Sequence, residues 1–352
     1  MQWRNSPLGR RLDVRLPIIQ APMAGGASTA RLTAAVSEAG GLGSVAGGLL
    51  PPDDLRAAIR DVRALTDRPF AVNLFAPLPE PSISRAAEWA RLTGAQSVPS
   101  PPRPPRFEDQ LAVVITERVP VFSFTFGIPE LPEMDALVIG TATTVAEASA
   151  LERAGVDAVL AQGYEAGGHR ATFLAPAENS LIGTMALIPP IVDAVSIPVI
   201  AAGGITDGRG AAAALALGAQ AVALGTAFLG CAEAGVSPSY RAALGSDTTV
   251  TAVMTGRHAR VVRTSLIDRL EASGQRPPDF PLPLLLAPES PVFAGQAGGL
   301  ARFLPAGELV STIGKEIDDV LRRLTGDGQY ADVAVGGDRT AESRSCLPES
   351  PG

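Results

Sequence analysis

The stretch Pro198-Val-Ile-Ala-Ala-Gly-Gly-Ile-Thr-Asp-Gly-Arg-Gly-Ala-Ala-Ala-Ala-Leu-Ala-Leu-Gly-Ala-Gln-Ala-Val-Ala-Leu-Gly-Thr226 decides the fold. Its ends, Pro198–Ala202 and Ala221–Gly225, are short apolar runs, and Gly210–Leu217 between them reads as a helix. Apolar residues on consecutive positions mark strands covered on both faces, and strand, helix and strand together make one parallel βα unit. The uncharged run Ala211 to Ala232 resembles a membrane span in length. Gly218 and Gln220 interrupt it and alanine supplies much of its bulk, so the helix-and-strand reading stands.

Working outward, eight such runs recur: Leu16–Ala21, Leu42–Ala46, Phe70–Phe75, Val119–Phe126, Ala136–Gly140, Ala158–Gln162, Pro198–Ala202 and Ala221–Gly225. Helix-like stretches separate them, clearest at Ser28–Ala39 and Asp53–Leu65. Eight parallel strands predict an α/β fold of the (β/α)8, or TIM-barrel, kind. Two places break the alternation. Pro77–Arg106 contains Ser97-Val-Pro-Ser-Pro-Pro-Arg-Pro-Pro-Arg106, too rich in proline for helix or strand, and Pro238–Thr325 mixes helix-like segments with the breaker-rich Arg276–Pro283. The expected organisation is a barrel at 1–76 and 119–237, a smaller helical domain over its mouth at 77–118 and 238–325, and a disordered tail at 326–352.

Composition narrows the function. With 46% hydrophobic and 18% charged residues over 352 positions, wholesale disorder is excluded. The net charge of −7 leaves no basic field for nucleic acid or anionic membrane. Cys231 and Cys346 stand far apart with no CxxC, so neither a disulfide framework nor a zinc site is expected, and a cytoplasmic setting fits. The first residues to Pro17 carry interspersed charges, unlike a secretion signal.

In a βα barrel the loops leaving the C-terminal strand ends build the active site, with phosphate commonly on those after the seventh and eighth strands. Here they hold Gly203 and Gly204, then Leu224-Gly-Thr226. Such glycines often only make tight turns. In these two places they read as a phosphate cup, because they admit backbone N–H groups to an anion and a helix N-terminus follows. The sixth strand delivers Gln162-Gly-Tyr-Glu-Ala-Gly-Gly-His-Arg170, where Gly167 and Gly168 permit close approach of a flat ligand. His169 is a candidate general base, against the plainer reading of a loop histidine that holds backbone. A metal role is poorer: His258 is the only other histidine, without carboxylates at ligand spacing, and reads as a surface or domain-contact residue. Glu165 and Arg170 pair either with each other or with elements nearby. Ala21, Pro22 and Met23 follow the first strand and Asn73 lies in the third. The convergence of these residues on strand ends suits a large planar cofactor with one phosphate, and flavin mononucleotide (FMN) is the candidate. Gly41-Leu-Gly-Ser-Val-Ala46 mimics a dinucleotide fingerprint, but a helix precedes it and a strand follows, which is the wrong order. Neither a Walker motif nor a G-x-S-x-G elbow is present.

Over residues 13–312 the chain resembles the nitronate monooxygenases, formerly called 2-nitropropane dioxygenases. The resemblance rests on Gln20-Ala-Pro-Met-Ala-Gly-Gly26, Ala34–Gly43, Glu165-Ala-Gly-Gly-His-Arg170, Pro198–Ile205 and Asp207–Gly210, with echoes at Thr255-Gly-Arg257 and Ala294-Gly-Gln296. It implies an FMN-containing barrel that oxidises alkyl nitronates with dioxygen to carbonyl compounds and releases nitrite or a related nitrogen oxide. It places flavin contacts at Met23, Asn73, Gln162, Gly167, Gly204 and Ala223-Leu-Gly-Thr226, and the catalytic histidine at His169, which removes an α-proton or orients a nitronate already formed. No metal is implied. The implied partners are a small nitronate or nitroalkane and O2, with a homodimer left open. Three positions depart from the family pattern: Ala171 where glycine is usual, Thr125 where histidine is frequent, and Phe293 in place of Trp or Tyr. Thr125 and Phe293 are expected on the substrate side. The competing readings are a flavin-dependent enoyl-thioester reductase using NAD(P)H and a non-catalytic flavin or phosphate-ligand binder.

Overall fold

The computed structural model describes residues 2–98 and 104–326; the tail from 327, Cys346 and the middle of the proline-rich run lie outside the described residues. In chain order the strands are β1 (Ile18–Gln20), β2 (Gly43–Ala46), β3 (Phe70–Phe75), β4 (Val121–Thr125), β5 (Leu137–Ala142), β6 (Ala158–Gln162), β7 (Gly168–His169), β8 (Val199–Ala202), β9 (Ala221–Leu224), β10 (Thr248–Thr251) and β11 (Ala259–Val262). Eight of them run parallel in the order β1-β9-β8-β6-β5-β4-β3-β2. A parallel bridge between Ile19 and Leu42 brings β1 back beside β2, so the cylinder nearly closes as a TIM barrel.

Neighbouring residues on each strand bury opposite faces, which is why the strand runs are apolar without alternation. Ile19, Ala71, Val121, Ala158, Ile200 and Ala223 pack inside the barrel. Ile18, Val72, Phe122, Val159, Val222 and Leu224 pack outward beneath the helices. Leu8 and Leu12 join the inner cluster from the N-terminal segment. Each expected run contains a strand, trimmed or shifted by a residue or two; β5 extends to Ala142 because β6 pairs with it that far. The expected helices appear at Ala30–Glu38, where Thr29 Oγ1 caps the Leu32 amide at 3.0 Å, and at Pro52–Arg63, with proline in its first turn. The uncharged stretch divides into the helix Gly208–Ala216 and β9. Among the described residues no helix is long and apolar enough to cross a membrane.

The later insertion is not purely helical. β10 and β11 pair antiparallel, and β11 also pairs with β7, giving a three-stranded sheet. Thr248-Thr-Val-Thr251 and Ala259-Arg-Val-Val262 supply the β-branched residues that favour this pairing. Trp89, Met254, Val261, Leu266, Leu270 and Leu286 form a separate apolar cluster here. Two helices expected in the smaller domain pack instead on barrel elements. Phe107–Thr116 lies against Pro52–Arg63 and β3, and Ala306–Leu324 against Ala30–Glu38 and Gly208–Ala216. Leu309, Val310, Ile313 and Ile317 bury one face of that last helix. We therefore propose the division with those two helices assigned to the barrel.

Candidate active site

The strand ends meet at the barrel mouth. Buried Gln20 accepts from the Ser44 amide (2.8 Å) and donates to Ser28 Oγ (2.9 Å), and Ser28 Oγ in turn accepts from the Met23 amide (2.9 Å). This holds the 21–23 turn. A Cβ on Gly225 would lie 3.7 Å from Ala21 Cβ and 3.9 Å from Met23 Sδ, so the ends of β1 and β9 adjoin. Ala21 donates its amide to the Leu224 carbonyl (2.9 Å). Pro22 lies within the same turn. Ala223 packs inside the barrel and Leu224 outside it, so neither side chain faces the mouth. Asn73 is buried on β3 and donates to Ser123 Oγ at 3.0 Å.

The glycine loop after β8 uses conformations closed to other residues, with φ of +106° at Gly203 and +70° at Gly204. The amides of Gly203, Gly204, Gly225 and Thr226 find no protein acceptor among the described residues. The helix that follows does not add its N-terminus to the cup, as the sequence reading had expected. Asp207 caps the amides of Arg209 (2.9 Å) and Gly210 (3.2 Å), and Glu316 Oε2 takes that of Gly208 (2.8 Å). Two carboxylates already use that helix end, so an anion is left to the loop amides. A cavity of about 310 Å³ runs along the loop between Glu165, Thr184, Ile205 and Gln296.

After β6, Gln162 works as a clamp. Its Nε2 donates to the His169 carbonyl (3.0 Å) and its Oε1 accepts from Arg170 Nη1 and the Ala171 amide, both at 3.0 Å. Glu165 and Arg170 do not pair with each other. Glu165 accepts from the Thr184 amide (2.9 Å), and fully buried Arg170 donates to the carbonyls of Gly163 (2.7 Å) and Ser180 (2.8 Å). Burial pushes the Arg170 pKa down to about 10, and its Nε has no partner. Gly167 must lack a side chain: a Cβ would lie 2.6 Å from the Ala294 carbonyl carbon and the Gly295 amide. Thr226 Oγ1 accepts from that same Gly295 amide (2.9 Å).

His169 sits where these loops converge. Its ring meets Phe280 edge-on (5.2 Å, 85°) and Phe126 edge-on (6.0 Å, 90°), and lies tilted against Phe293 (5.4 Å, 42°). The residue as a whole is partly exposed, yet Nε2 is buried and has no partner. Burial first, and then the positive charge of Arg257, push its pKa down to about 3. The imidazole is therefore neutral at neutral pH. Phe293 is fixed by Tyr240, whose hydroxyl donates to its carbonyl (2.9 Å) and accepts from its amide (2.8 Å). Thr125 ends β4 just before Phe126. His258 accepts from the Arg170 amide with its carbonyl (2.8 Å), while its half-exposed side chain turns to Glu178, 3.4 Å away.

The sequence reading missed Phe126 and Phe280 as pocket walls and gave Arg257 no role. Phe280 lies in the breaker-rich run and Arg257 in the Thr255-Gly-Arg257 echo, so only the fold brings them to His169. It also missed Glu147, a buried carboxylate that accepts from Thr143, Thr172, Phe173 and Leu174 and holds the segment after His169. Among the described residues, no three His, Cys, Asp or Glu side chains group as metal ligands do. The free amides and the orphaned His169 Nε2 together fit a planar cofactor with a phosphate tail.

The family profile described as nitronate monooxygenase matches residues 10–290. The chain belongs to the nitronate monooxygenase family. A Staphylococcus saprophyticus protein named probable nitronate monooxygenase is 40% identical over 89% of this chain and 97% of its own. Nitroalkane oxidase from Streptomyces ansochromogenes superposes with a TM-score of 0.82 at 38% identity, covering 88% of this chain and 98% of that one. FabK from Thermotoga maritima does so at 0.71 and 34%, covering 92% and 99%. For a nitronate monooxygenase, a flavin-dependent oxidoreductase, the orphaned His169 is the polar atom to explain.

Proposed function

We propose that this chain binds FMN across the ends of β1, β3, β6, β8 and β9 and oxidises anionic alkyl nitronates with dioxygen to carbonyl compounds, releasing nitrite or a related nitrogen oxide. The supporting observation is the buried, unpartnered Nε2 of His169 inside walls of Phe126, Phe280 and Phe293, next to loops whose amides are free. Ala21, Pro22, Met23, Asn73, Gln162 and Gly168 border the flat part of the cofactor, and Gly203, Gly204, Gly225 and Thr226 hold its phosphate. Ala223 and Leu224 contribute backbone only. Flavin, when bound, would supply the redox chemistry between the substrate and dioxygen.

What His169 does follows from its acidity. A base with a pKa near 3 takes a proton from carbon poorly, because general-base efficiency peaks when the pKa lies near the working pH. The depressed basicity of the buried ring thus favours the substrate already ionised, with the neutral imidazole donating one hydrogen bond that orients the nitronate. Thr125 and Phe293 stand on the substrate side.

Absorption spectroscopy tests the reading. The purified protein is expected to be yellow, to release FMN on denaturation and to bleach anaerobically with ethyl nitronate but not with NADPH. Bleaching by NADPH alone would assign an enoyl-thioester reductase instead. A protein that holds flavin but turns over neither substrate would be a binder.

A further inference from the structure

Arg257 is a half-buried cation for which no described Asp or Glu is an ion-pair partner. Its guanidinium carbon lies over the Phe126 ring, 4.1 Å from the centroid, and one Nη donates to the Thr172 carbonyl at 3.2 Å. The two arginines behind the pocket are likewise held by neutral oxygens: Arg170 by carbonyls, Arg260 by the Tyr164 carbonyl (2.8 Å) and Thr248 Oγ1 (3.1 Å). Glu147 and Glu165 are near Arg170 but spend their oxygens on threonines and amides. Their negative charges still offset Arg170, which leaves Arg257 as the cation behind His169 with no described carboxylate facing it.

Several features hold Arg257 in place. Thr255 Oγ1 accepts from its amide (3.2 Å) and donates to its carbonyl (2.7 Å). Gly256 takes φ +86°, and a Cβ there would collide with the Phe280 amide, so this turn and the Phe280 wall are built together. Phe126, the ring beneath the guanidinium, is itself at φ +78°, a left-handed conformation that a bulky residue keeps only where surrounding structure enforces it. The strained residue thus touches both the cation and His169.

We propose that Arg257 is the anion-binding residue of the pocket: its free N–H groups take one charged oxygen of the substrate, the His169 imidazole donates to the other, and the three phenylalanines enclose the carbon end. This rests on the nitronate reading and adds the group that selects the ionised form. A half-buried guanidinium stacked on an aromatic face is less hydrated than a free one, so an arriving anion gains more from it than in water, and a neutral nitroalkane gains little.

Nitrate, a planar anion with nitrogen-bound oxygens, is the probe. It is titrated calorimetrically into full-length wild type, Arg257→Gln and Arg257→Lys, each shown to be folded by its melting curve. The glutamine variant is expected to bind nitrate at least tenfold more weakly, as loss of a charge-assisted hydrogen bond requires, with lysine in between. The KM for ethyl nitronate should rise at least tenfold in Arg257→Gln relative to that for neutral nitroethane, and the His169 imidazole should titrate at higher pH. A wild type that does not bind nitrate, or a folded Arg257→Gln that binds nitrate as wild type does, overturns the proposal. If wild type turns over no nitronate yet loses nitrate on substitution, the reaction assigned above fails and the anion site stands.

Discussion

His169 is held by its backbone and left free at its ring, the arrangement of a side chain that meets a ligand. The two parts separate experimentally. In His169→Ala, flavin content should match wild type, because the proposed cup is made of backbone amides, while kcat/KM for a nitronate falls by ~10²-fold or more with loss of the orienting hydrogen bond. Equal turnover would remove His169 from the chemistry. Gln162 is the converse case, a side chain whose polar atoms both serve the loop. Gln162→Leu leaves the Ala171 amide without an acceptor and removes one of the several that Arg170 uses, and should cost ~2 kcal/mol in urea unfolding and lower activity by displacing His169. It was legible as a strand-end polar residue; that it clamps 169–171 was not, because the clamp closes only when the chain turns back on itself.

At the level of elements, the loops after β6, β8 and β9 form one assembly through a peptide segment far away in sequence. Gly167 packs against Ala294 and Gly295, and Thr226 holds the same Gly295 amide. Gly167→Ala should push the 294–296 segment off the mouth. The expected outcome is faster loss of flavin in dialysis together with a drop of ~1–3 kcal/mol in stability, since a Cβ at 2.6 Å from backbone cannot be relieved by a rotamer. Unchanged flavin retention would show that the segment does not brace the site. The barrel strands were legible because burial on both faces leaves consecutive apolar residues, and the glycine loops because the turn after β8 takes positive φ at Gly203 and Gly204, which favours glycine. β10 and β11 were hidden by the helix-like segments around them, although Thr248–Thr251 carried the β-branched signal. Of the aromatic pocket only Phe293 was legible, through the family resemblance: Phe126 and Phe280 come from distant segments, and nothing local in a sequence records which rings will share one imidazole. The helix N-terminus after β8 misled in the opposite sense, since Asp207 was visible in the sequence but the reach of Glu316 from the last helix was not.

For the whole molecule, acid is the revealing perturbation, because the displaced groups act in one direction. His169 titrates at about 3 in the folded chain and near 6.5 when unfolded, so the unfolded state binds a proton first as pH falls. The stability this contributes is complete above pH ~6.5 and drains away down to pH ~3. Asp318 lies below the usual carboxylate range: burial opposes this, but hydrogen bonds from Arg4 and Trp3 outweigh it, tying the N-terminal segment to the last helix. Asp207 behaves alike, its burial outweighed by Arg209 and the amides that it caps. Stability from these carboxylates is lost only at lower pH, as each is protonated. Urea midpoints should therefore fall in two stages: a first decline below pH ~6.5 from the imidazole, then a steeper one near pH 4 and below from the carboxylates. His169→Gln should abolish the first stage and leave the second, whereas Asp318→Asn should blunt the second and leave the first. A first stage that persists in His169→Gln would mean that the imidazole is not held neutral by burial, and the preference for a substrate already ionised would lose its physical basis.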